Sequence, residues 1–452
     1  MIPEDLSSLN ALIAFGVASV VGMLLAPVAK PYTVRMATGL ALAAAALFAW
    51  RRIGLPEAPA FAMLADDGLA RFGALFAALT GLGALVFLRA PGPGREGPSL
   101  TALVALGAAT LAAATHGATL FLGLEVMSLA LIALFAFPLT RSALEAGYKY
   151  LVLGAAASAA LLLGVAFAYA TTGSLMLADW GAGGPMLGLG FALILAGLAF
   201  KLALVPFHAW TPDVYDAAPA GAAALAAATS KGALALALLR LSWEATPPEP
   251  VWSLGLAAMA AASILLGNLL ALMQDSLPRM LGWSSVAHSG YIAGILAAGA
   301  PLTDQAVLFY LVAYAPALLA AFCVAAAVGP APTLEGLRGF GRARPLAGMA
   351  FALAMLSLAG LPIASGFLAK IYLFGALVQA EMWWLLAIAA AGSALGLFYY
   401  ARFGLAAYSR VERPGLRLDA VDAAVLALSA AVIALLGVYP RPFLDYAAGL
   451  IG

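Results

Sequence analysis

The chain has 452 residues, of which 65% are hydrophobic and only 10% are charged, and its formal net charge is +1. Soluble domains carry about 25% charged residues, so the composition excludes an ordinary soluble enzyme and predicts an integral membrane protein. The near-zero charge gives no sign of nucleic-acid binding. The single cysteine, Cys323, excludes an internal disulfide and any zinc site or iron–sulfur cluster held by cysteines.

Long apolar runs follow one another along the whole chain with only short breaks. A helix needs about 20 apolar residues to cross a hydrocarbon core about 30 Å thick. We therefore predict an all-α integral membrane fold with about fourteen transmembrane helices. The predicted spans are 10–29, 34–50, 69–89, 99–115, 118–138, 144–170, 186–207, 217–243, 251–273, 279–299, 303–328, 346–377, 382–408 and 420–438.

The connectors alternate in charge. The odd-numbered connectors carry most of the basic residues, namely Lys30, Arg35, Arg89, Arg95, Arg141, Arg279, Arg338, Arg342, Arg344, Arg410, Arg413 and Arg417. Basic connectors lie on the cytoplasmic side of bacterial membrane proteins. With fourteen spans, both termini are then expected on the periplasmic side.

Two long predicted spans are internally broken. The seventh contains Pro206, and the twelfth contains Gly360, Pro362 and Gly366. Broken helices survive at membrane depth only where they line a cavity or are packed in protein, and paired breaks point to inverted repeats. Because the two breaks are five spans apart, we predict two inverted five-helix repeats, helices 4–8 and 9–13.

This prediction divides the chain into four parts. They are the N-terminal helices 1–3 (1–98), a first repeat (99–243), a second repeat (251–410) and a C-terminal helix 14 (418–452).

Four of the five lysines, Lys149, Lys201, Lys231 and Lys370, lie in or at the edge of apolar runs, and only Lys30 lies in an obvious connector. A charged lysine near the bilayer centre costs at least about 2.5–3.5 kcal/mol, and such residues usually mark an ion or proton route. Lysine also gives up its proton far more readily than arginine when it is desolvated. The pattern therefore favours a proton carrier over a structural ion pair.

Glu125 is the one carboxylate well inside a predicted span. No residue three or four positions away on the same helix is basic, so its partner must come from another helix. Lys201, just before the break at Pro206, is the natural candidate. The pair could control the proton affinity of the lysine, or it could be a static ion pair that clamps two helices.

The other lysines each have a structural alternative to a relay role. Lys231 could be clamped to a buried acceptor, and Lys370 could extend to the membrane surface. Lys149 lies between Tyr148 and Tyr150, which is typical of an aromatic belt at the membrane interface.

His208 and His288 are relay candidates because imidazole titrates near neutral pH. Each could instead be a neutral histidine bonded between helices. A haem held by two histidines is a further alternative, although no pairing is indicated.

Three segments with these residues, Phe200–Tyr215, Trp283–Tyr291 and Leu358–Lys370, resemble motifs of the antiporter-like membrane subunits of respiratory complex I. They occur in order and at suitable spacing, and the resemblance covers essentially the whole chain. The Trp210–Tyr215 segment is closest to the N type of subunit. One departure is Ile363 after Pro362, where two prolines are common.

The resemblance implies a fourteen-helix fold with inverted repeats. It implies a proton relay made of Glu125, Lys201, Lys231 and Lys370. The secondary relay candidates are Lys149, His208 and His288, of which the first two match positions that look ionisable in N-type subunits.

The expected function is that of a proton-translocating membrane-arm subunit of an NADH:quinone oxidoreductase, coupled to quinone reduction elsewhere in the complex. A proton would enter from the cytoplasm, reside on Lys201 or Lys231, and move to Lys370. We expect neither redox chemistry nor a cofactor in this chain, since NADH, FMN, iron–sulfur clusters and quinone would belong to partner subunits. The expected partners are other membrane-arm subunits, including a sister antiporter-like subunit and small membrane subunits, in the inner membrane of a bacterium.

Two alternatives stay open. The chain could belong to a multisubunit cation/proton antiporter or an energy-converting hydrogenase, which share the broken-helix motifs. It could also be a non-pumping scaffold subunit whose lysines are only clamps.

Overall fold

The computed structural model describes residues 6–56, 58–61, 63–88, 95–181, 183–329, 332–410 and 418–451. Arg89, Arg413 and Arg417, which the orientation argument uses, lie outside the described residues. The helices are α1 (Asn10–Leu25), α2 (Pro31–Arg52), α3 (Gly68–Val86), α4 (Gly97–Ala113), α5 (Gly117–Ala136), α6 (Arg141–Thr172), α7 (Pro185–Leu202), α8 (Trp210–Ala217), α9 (Ala220–Ala224), α10 (Lys231–Glu244), α11 (Val251–Ala271), α12 (Leu277–Ala298), α13 (Thr303–Val328), α14 (Phe340–Ala343), α15 (Pro345–Ala359), α16 (Ser365–Gln379), α17 (Trp383–Ala407), α18 (Ala420–Val438) and α19 (Arg441–Ile451).

Within the described ranges, 11 helical segments are long and apolar enough to cross a membrane by length and composition. Three shorter apolar helices are α4, α15 and α16. The predicted helical, multi-pass membrane fold is therefore confirmed. The number of fourteen spans and the inverted repeats stay predictions.

Two elements in the described part were not predicted. Strands β1 (Ala58–Phe61) and β2 (Leu64–Asp66) form a small antiparallel hairpin in which Ala58 pairs with Asp66 and Phe61 with Leu64. The short helix α19 follows the last predicted span. Both lie where the sequence analysis placed only connectors or chain ends.

The chain divides into two compact units. The first unit comprises Met1–Leu202, Thr229–Leu256 and Gly449–Gly452. In it, α6 packs along α7, α4 lies between α3 and α5, and α10 packs against α3, α4 and α7. Nearly every residue of α10 is buried, so this helix forms part of the core of the first unit.

The second unit comprises Ala203–Ala228 and Ala257–Ala448. Helix α13 lies at its centre and packs against α12, α15, α16 and α18, while α8 packs against α12. The two units are groups of residues that contact one another, and they do not correspond to the predicted repeats. The predicted boundaries at 99–243 and 251–410 stay a prediction.

A buried network of charged side chains lies beside the hairpin in the first unit. The Arg71 guanidinium, 5% exposed, donates to the Asp66 carboxylate and to the carbonyls of Leu55 and Pro56, at 2.9, 2.6 and 2.9 Å. These bonds attach the last residue of the hairpin, and the chain before the hairpin, to α3. Arginine fits this role because its planar group offers five donors in a fixed arrangement.

Candidate functional site

Lys201 lies next to the last residue of α7, and only 2% of it is exposed. Its Nζ donates a hydrogen bond of 2.8 Å to the hydroxyl of Ser128 on α5. The same nitrogen lies 4.9 Å from the ring centroid of Tyr150 on α6, within the range of a cation–π contact. Lys201 is therefore held by a hydroxyl and an aromatic face.

Glu125 lies on α5, one helical turn before Ser128. Its carboxylate accepts a short hydrogen bond from the hydroxyl of Ser158 on α6. In the part of the chain that the structure describes, Glu125 and Lys201 form no direct ion pair. The two predicted partners are thus brought into one cluster, which we call the Lys201 cluster (Glu125, Ser128, Tyr150, Ser158 and Lys201), but each is bonded to a serine.

Lys149 does not join the Lys201 cluster, although its neighbour Tyr150 does. Its side chain is 40% exposed and pairs with Glu145 at 2.8 Å, one turn earlier on α6. Tyr148 is exposed as well, whereas Tyr150 is fully buried. The placement of Lys149 fits the surface alternative better than a place in a buried relay.

Lys231 is the first residue of α10 and is 2% exposed. It directly follows a π-helical turn, Leu225–Ser230. Such turns leave the normal hydrogen-bond pattern for a few residues and occur often at functional sites. One residue before the end of this turn, the hydroxyl of Thr229 donates a 2.8 Å bond to that of Thr80 on α3.

The first helix break lies between Leu202 and Trp210. Ala203 has a backbone φ of 64°, which is unusual for a residue other than glycine. The backbone N–H of Val205 donates to the hydroxyl of Ser263 on α11 at 2.9 Å, so this freed donor has a partner. His208 lies in the same turn, half-buried, with its ring 5.5 Å from that of Trp283.

The second helix break lies between Ala359 and Ser365, and the Lys370 side chain bonds to the backbone at this break. The Lys370 ammonium, on α16, donates to the carbonyl of Ala359 at 2.7 Å and to the hydroxyl of Ser393 on α17 at 2.8 Å. Ala359 is the last residue of α15, so its carbonyl oxygen has no N–H partner within that helix. The positive charge therefore lies at the negative end of a helix dipole and does not extend to the membrane surface.

Two glycines make room for this geometry. Gly360 has a φ of 79°, and a Cβ on it would lie 2.5 Å from Cδ and 2.9 Å from Nζ of Lys370. A Cβ on Gly366 would collide with the carbonyl oxygen of Ser357. Ile363 between them has a φ of 80°, which a branched side chain rarely adopts and which proline cannot adopt.

His288 is surrounded by tyrosines. Its Nδ1 lies 2.7 Å from the hydroxyl of Tyr310, its Nε2 lies 3.0 Å from that of Tyr400, and its ring stacks on Tyr314. A small cavity, lined among others by His288, Tyr310 and Lys370, has room for about one water molecule. His288 and Lys370 thus face a common cavity in the second unit.

The sequence analysis missed the polar partners of the ionisable residues. These are Ser128, Ser158, Asn268, Ser284, Tyr310, Tyr314, Ser393, Tyr399 and Tyr400. Hydroxyl groups are common in membrane helices, where they also bond to their own backbone, so their presence alone was no signal. The recurrence of tyrosine within apolar runs, at 310 and 314 and at 399 and 400, was the one pattern available.

No group of three or more histidine, cysteine, aspartate or glutamate side chains that could hold a metal ion occurs among the described residues. For His288, both ring nitrogens are taken up by tyrosine hydroxyls. The arrangement instead offers lysine, histidine and hydroxyl groups, all of which can carry or pass a proton. Fold and site together define a multi-pass membrane protein with buried cations at helix irregularities.

The sequence profile that describes the family "NADH:quinone oxidoreductase/Mrp antiporter, TM" matches residues 114–396. The chain therefore belongs to this family of membrane subunits.

Individual relatives agree over nearly the whole length. A protein of Rhodopseudomonas palustris named NADH-quinone oxidoreductase subunit N is 59% identical over 404 residues, covering 89% of each chain. A protein of the same name from Cereibacter sphaeroides is 50% identical and covers 97% of this chain and 98% of its own. A chain in a structure of respiratory complex I from Thermus thermophilus with bound aureothin is 37% identical, has a TM-score of 0.89, and covers 97% of this chain and 99% of its own.

Proposed function

We propose that this chain is the N-type, proton-translocating membrane-arm subunit of a bacterial NADH:quinone oxidoreductase. The observation that carries the proposal is the position of three buried lysines. Lys201 lies at the end of α7 before the first break, Lys231 follows the π-helical turn, and Lys370 bonds to the last carbonyl of α15 at the second break. Each ammonium lies where the backbone is irregular, as ion sites in membrane transporters do.

The proton carriers in this proposal are Lys201, Lys231 and Lys370. A proton taken up from the cytoplasm resides on Lys201 or Lys231 and passes on to Lys370 in the second unit. Water molecules and hydroxyl groups connect these carriers. His208 and His288 are secondary carriers, whereas the exposed pair of Lys149 with Glu145 gives Lys149 the weakest claim.

Glu125 has a controlling role in this scheme. Its carboxylate bonds to Ser158, while Lys201 bonds to Ser128, so small movements of α5 or α6 change the distance between the two charges. Because the interaction of two charges in a low-dielectric site depends strongly on distance, such a movement changes the proton affinity of Lys201. One pKa unit corresponds to about 1.4 kcal/mol, which is enough to bias a transfer step.

The remaining parts of the proposal concern the assembly. The chain lies in the bacterial inner membrane with fourteen spans, two inverted repeats and both termini in the periplasm. Its partners are a sister antiporter-like subunit and small membrane-arm subunits. NADH, FMN, iron–sulfur clusters and quinone bind to other subunits, and this chain contributes proton movement without redox chemistry.

Purification through an affinity tag on this chain tests the assignment. We expect flavin- and iron–sulfur-containing subunits and NADH:quinone activity to co-purify with it. Co-purification with cation/proton antiporter subunits alone, or with hydrogenase subunits, would overturn the assignment in favour of those complexes.

A further inference from the structure

A chain of hydrogen-bonded side chains leads away from Lys370 inside the second unit. His288 shares the water-sized cavity with Lys370 and bonds through Nε2 to the hydroxyl of Tyr400, at 3.0 Å. The Tyr400 hydroxyl also forms a short bond with that of Ser284. Lys370, His288, Tyr400 and Ser284 are each at least nine-tenths buried, whereas Ser393, the hydroxyl partner of Lys370, is half-buried.

A second branch runs beside the first. The Lys370 Nζ lies 5.7 Å from the ring centroid of Tyr291, whose hydroxyl accepts a 3.2 Å bond from the amide of Asn268. The Asn268 carbonyl oxygen accepts a 3.0 Å bond from the hydroxyl of Tyr399. The rings of Tyr399 and Tyr400 touch, with centroids 4.3 Å apart, so the two branches meet on α17.

Both branches lead to the same end of the helices. Asn268 lies near the C-terminal end of α11, Ser284 near the N-terminal end of α12, and Tyr399 and Tyr400 near the C-terminal end of α17. One turn beyond Tyr399, Arg402 is partly exposed and lies 3.7 Å from the exposed Asp275. The buried chain thus ends close to a charged surface.

On the other side of Lys370 the same helices are apolar apart from Tyr372 on α16, which packs beside Phe309. The stretches 292–298 on α12, 373–378 on α16 and 384–392 on α17 contain no titratable or hydroxyl side chain. A proton on Lys370 therefore has a polar route on these three helices in one direction only. That direction leads to the basic connectors, with Arg279 and Arg338, which the positive-inside rule places in the cytoplasm.

From this asymmetry we infer that Ser284 and Tyr400, held in place by Tyr399 and Asn268, form a second proton-uptake route that loads Lys370 directly from the cytoplasmic side. The inference rests on the proposed function, because it presupposes that Lys370 carries a proton. In each step a hydroxyl donates its own proton toward His288 and accepts another from the outer side. No tyrosine is left charged, and the net change is one proton moved inward.

The test uses the complete complex reconstituted in liposomes, with proton uptake at its cytoplasmic face followed by a pH-sensitive dye. Tyr400→Phe keeps the ring and removes the hydroxyl, and we expect the part of the proton uptake that depends on Lys370 to become about tenfold slower, the factor expected from losing one hydrogen bond in the chain. Because supply would then limit the rate, the deficit should shrink as the outer pH falls. A merely structural defect would lower the rate equally at every pH.

Two further variants make the result decisive. Tyr372→Phe is the matched control, since Tyr372 lies on α16 beside Phe309, outside the hydrogen-bonded chain, and should behave as wild type. Ser284→Ala removes the other partner of Tyr400 and should reproduce the Tyr400→Phe effect even if that variant assembles poorly.

Lys370→Ala, measured in the same series, separates the two proposals. Normal uptake in assembled Tyr400→Phe and Ser284→Ala complexes, with uptake lost in Lys370→Ala, would overturn the second route and leave the proposed function standing. Normal uptake in all three variants would overturn both.

Discussion

At the scale of single residues, two of the three buried lysines share one feature. Lys201 and Lys370 donate to neutral oxygens, those of Ser128, Ser393 and Ala359. A lysine clamped by a carboxylate cannot lose its proton without leaving a buried negative charge unpaired, which is costly. A lysine bonded to neutral acceptors carries no such restriction, so the contacts fit a proton carrier better than a static clamp.

A substitution at Gly360 should affect both the stability of the protein and the position of Lys370. Gly360→Ala places a methyl group against the Lys370 side chain at a φ of 79°, so we expect a loss of about 1–2 kcal/mol in stability and a displaced ammonium. Thermal unfolding and NADH-driven proton uptake measure the two effects. Gly404→Ala on α17, where the nearest atom is 3.8 Å away, is the control and should be neutral. Equal behaviour of the two variants would contradict the prediction.

A substitution at Ser128 tests the contact that holds Lys201. Ser128→Ala removes the hydrogen-bond acceptor of the Lys201 ammonium, and leaving a buried donor without it costs about 1–3 kcal/mol. We expect lower thermal stability together with altered proton uptake. Ser19→Ala is the matched control, because the Ser19 hydroxyl bonds only to the Phe15 carbonyl of its own helix. If both variants pump normally, Ser128 has no part in the proton route.

At the scale of elements, the predicted spans agree closely with the observed helices, because long apolar runs allow little else in a membrane. Both predicted breaks also coincide with interruptions, at 203–209 and 360–364, since Pro206, Gly360 and Pro362 interrupt backbone hydrogen bonding wherever they occur. The apolar runs could therefore be recognised without knowledge of tertiary contacts.

The elements that were missed depend on context. Arg71 bonds to Asp66 in strand β2 of the hairpin and to the carbonyls of Leu55 and Pro56 before it, and these contacts are not visible in sequence. The π-helical turn before Lys231 consists of one leucine and three alanines followed by Thr229 and Ser230, and this sequence carries no local signal for such a turn. Helix α19 could have been found, since Arg441 and Asp445 lie one helical turn apart among mostly apolar residues, as on the polar face of an amphipathic helix.

The candidate site residues were chosen from sequence for the same reason, and their roles stay predictions. Charged residues inside apolar runs are conspicuous, so Glu125, Lys201, Lys231 and Lys370 could be selected from sequence. Their actual contacts could not, because helices bring together residues far apart in the chain, such as Lys201 and Ser128. The expected direct contact between Glu125 and Lys201 is replaced by two serine contacts for this reason.

The buried pair of Asp67 and Arg240 gives an element-scale prediction. Arg240, on α10 and 1% exposed, binds the Asp67 carboxylate at the start of α3 and the carbonyl of Ala112 at the end of α4. Asp67→Asn keeps the cap on α3 but removes the charge. It should cost about 1–3 kcal/mol, because Glu244 still lies 3.5 Å from the Arg240 guanidinium, whereas Arg240→Leu should cost about 3–5 kcal/mol because it takes this partner from the Asp67 carboxylate. The double variant should recover much of the loss, and chemical unfolding of the four proteins measures it. Additive losses would contradict a direct pairing.

The same pair has a defined pH dependence. Burial by itself would raise the pKa of the Asp67 carboxyl, but the hydrogen bond and charge of Arg240 outweigh burial and hold the pKa below its usual 3.8. The stability from this pair is therefore present above about pH 4 and is lost as the pH falls through the lowered pKa. The difference in stability between wild type and Asp67→Asn should shrink only in that acid range.

At the scale of the whole molecule, each unit carries its own part of the proposed relay. The first contains Glu125, Lys201 and Lys231, and the second contains His208, His288 and Lys370. Proton movement is the contribution that we propose for this chain.

Proton pumping by the reconstituted complex carrying Lys231→Ala is the most direct test of this central claim. The proton-to-electron ratio would be measured with assembly verified by subunit content, and Lys30→Ala, an exposed lysine in a connector, serves as control. The account predicts a reduced ratio, or lost activity, in an intact Lys231→Ala complex and a normal ratio in the control. A normal ratio in both would contradict it and return the buried lysines to a structural role.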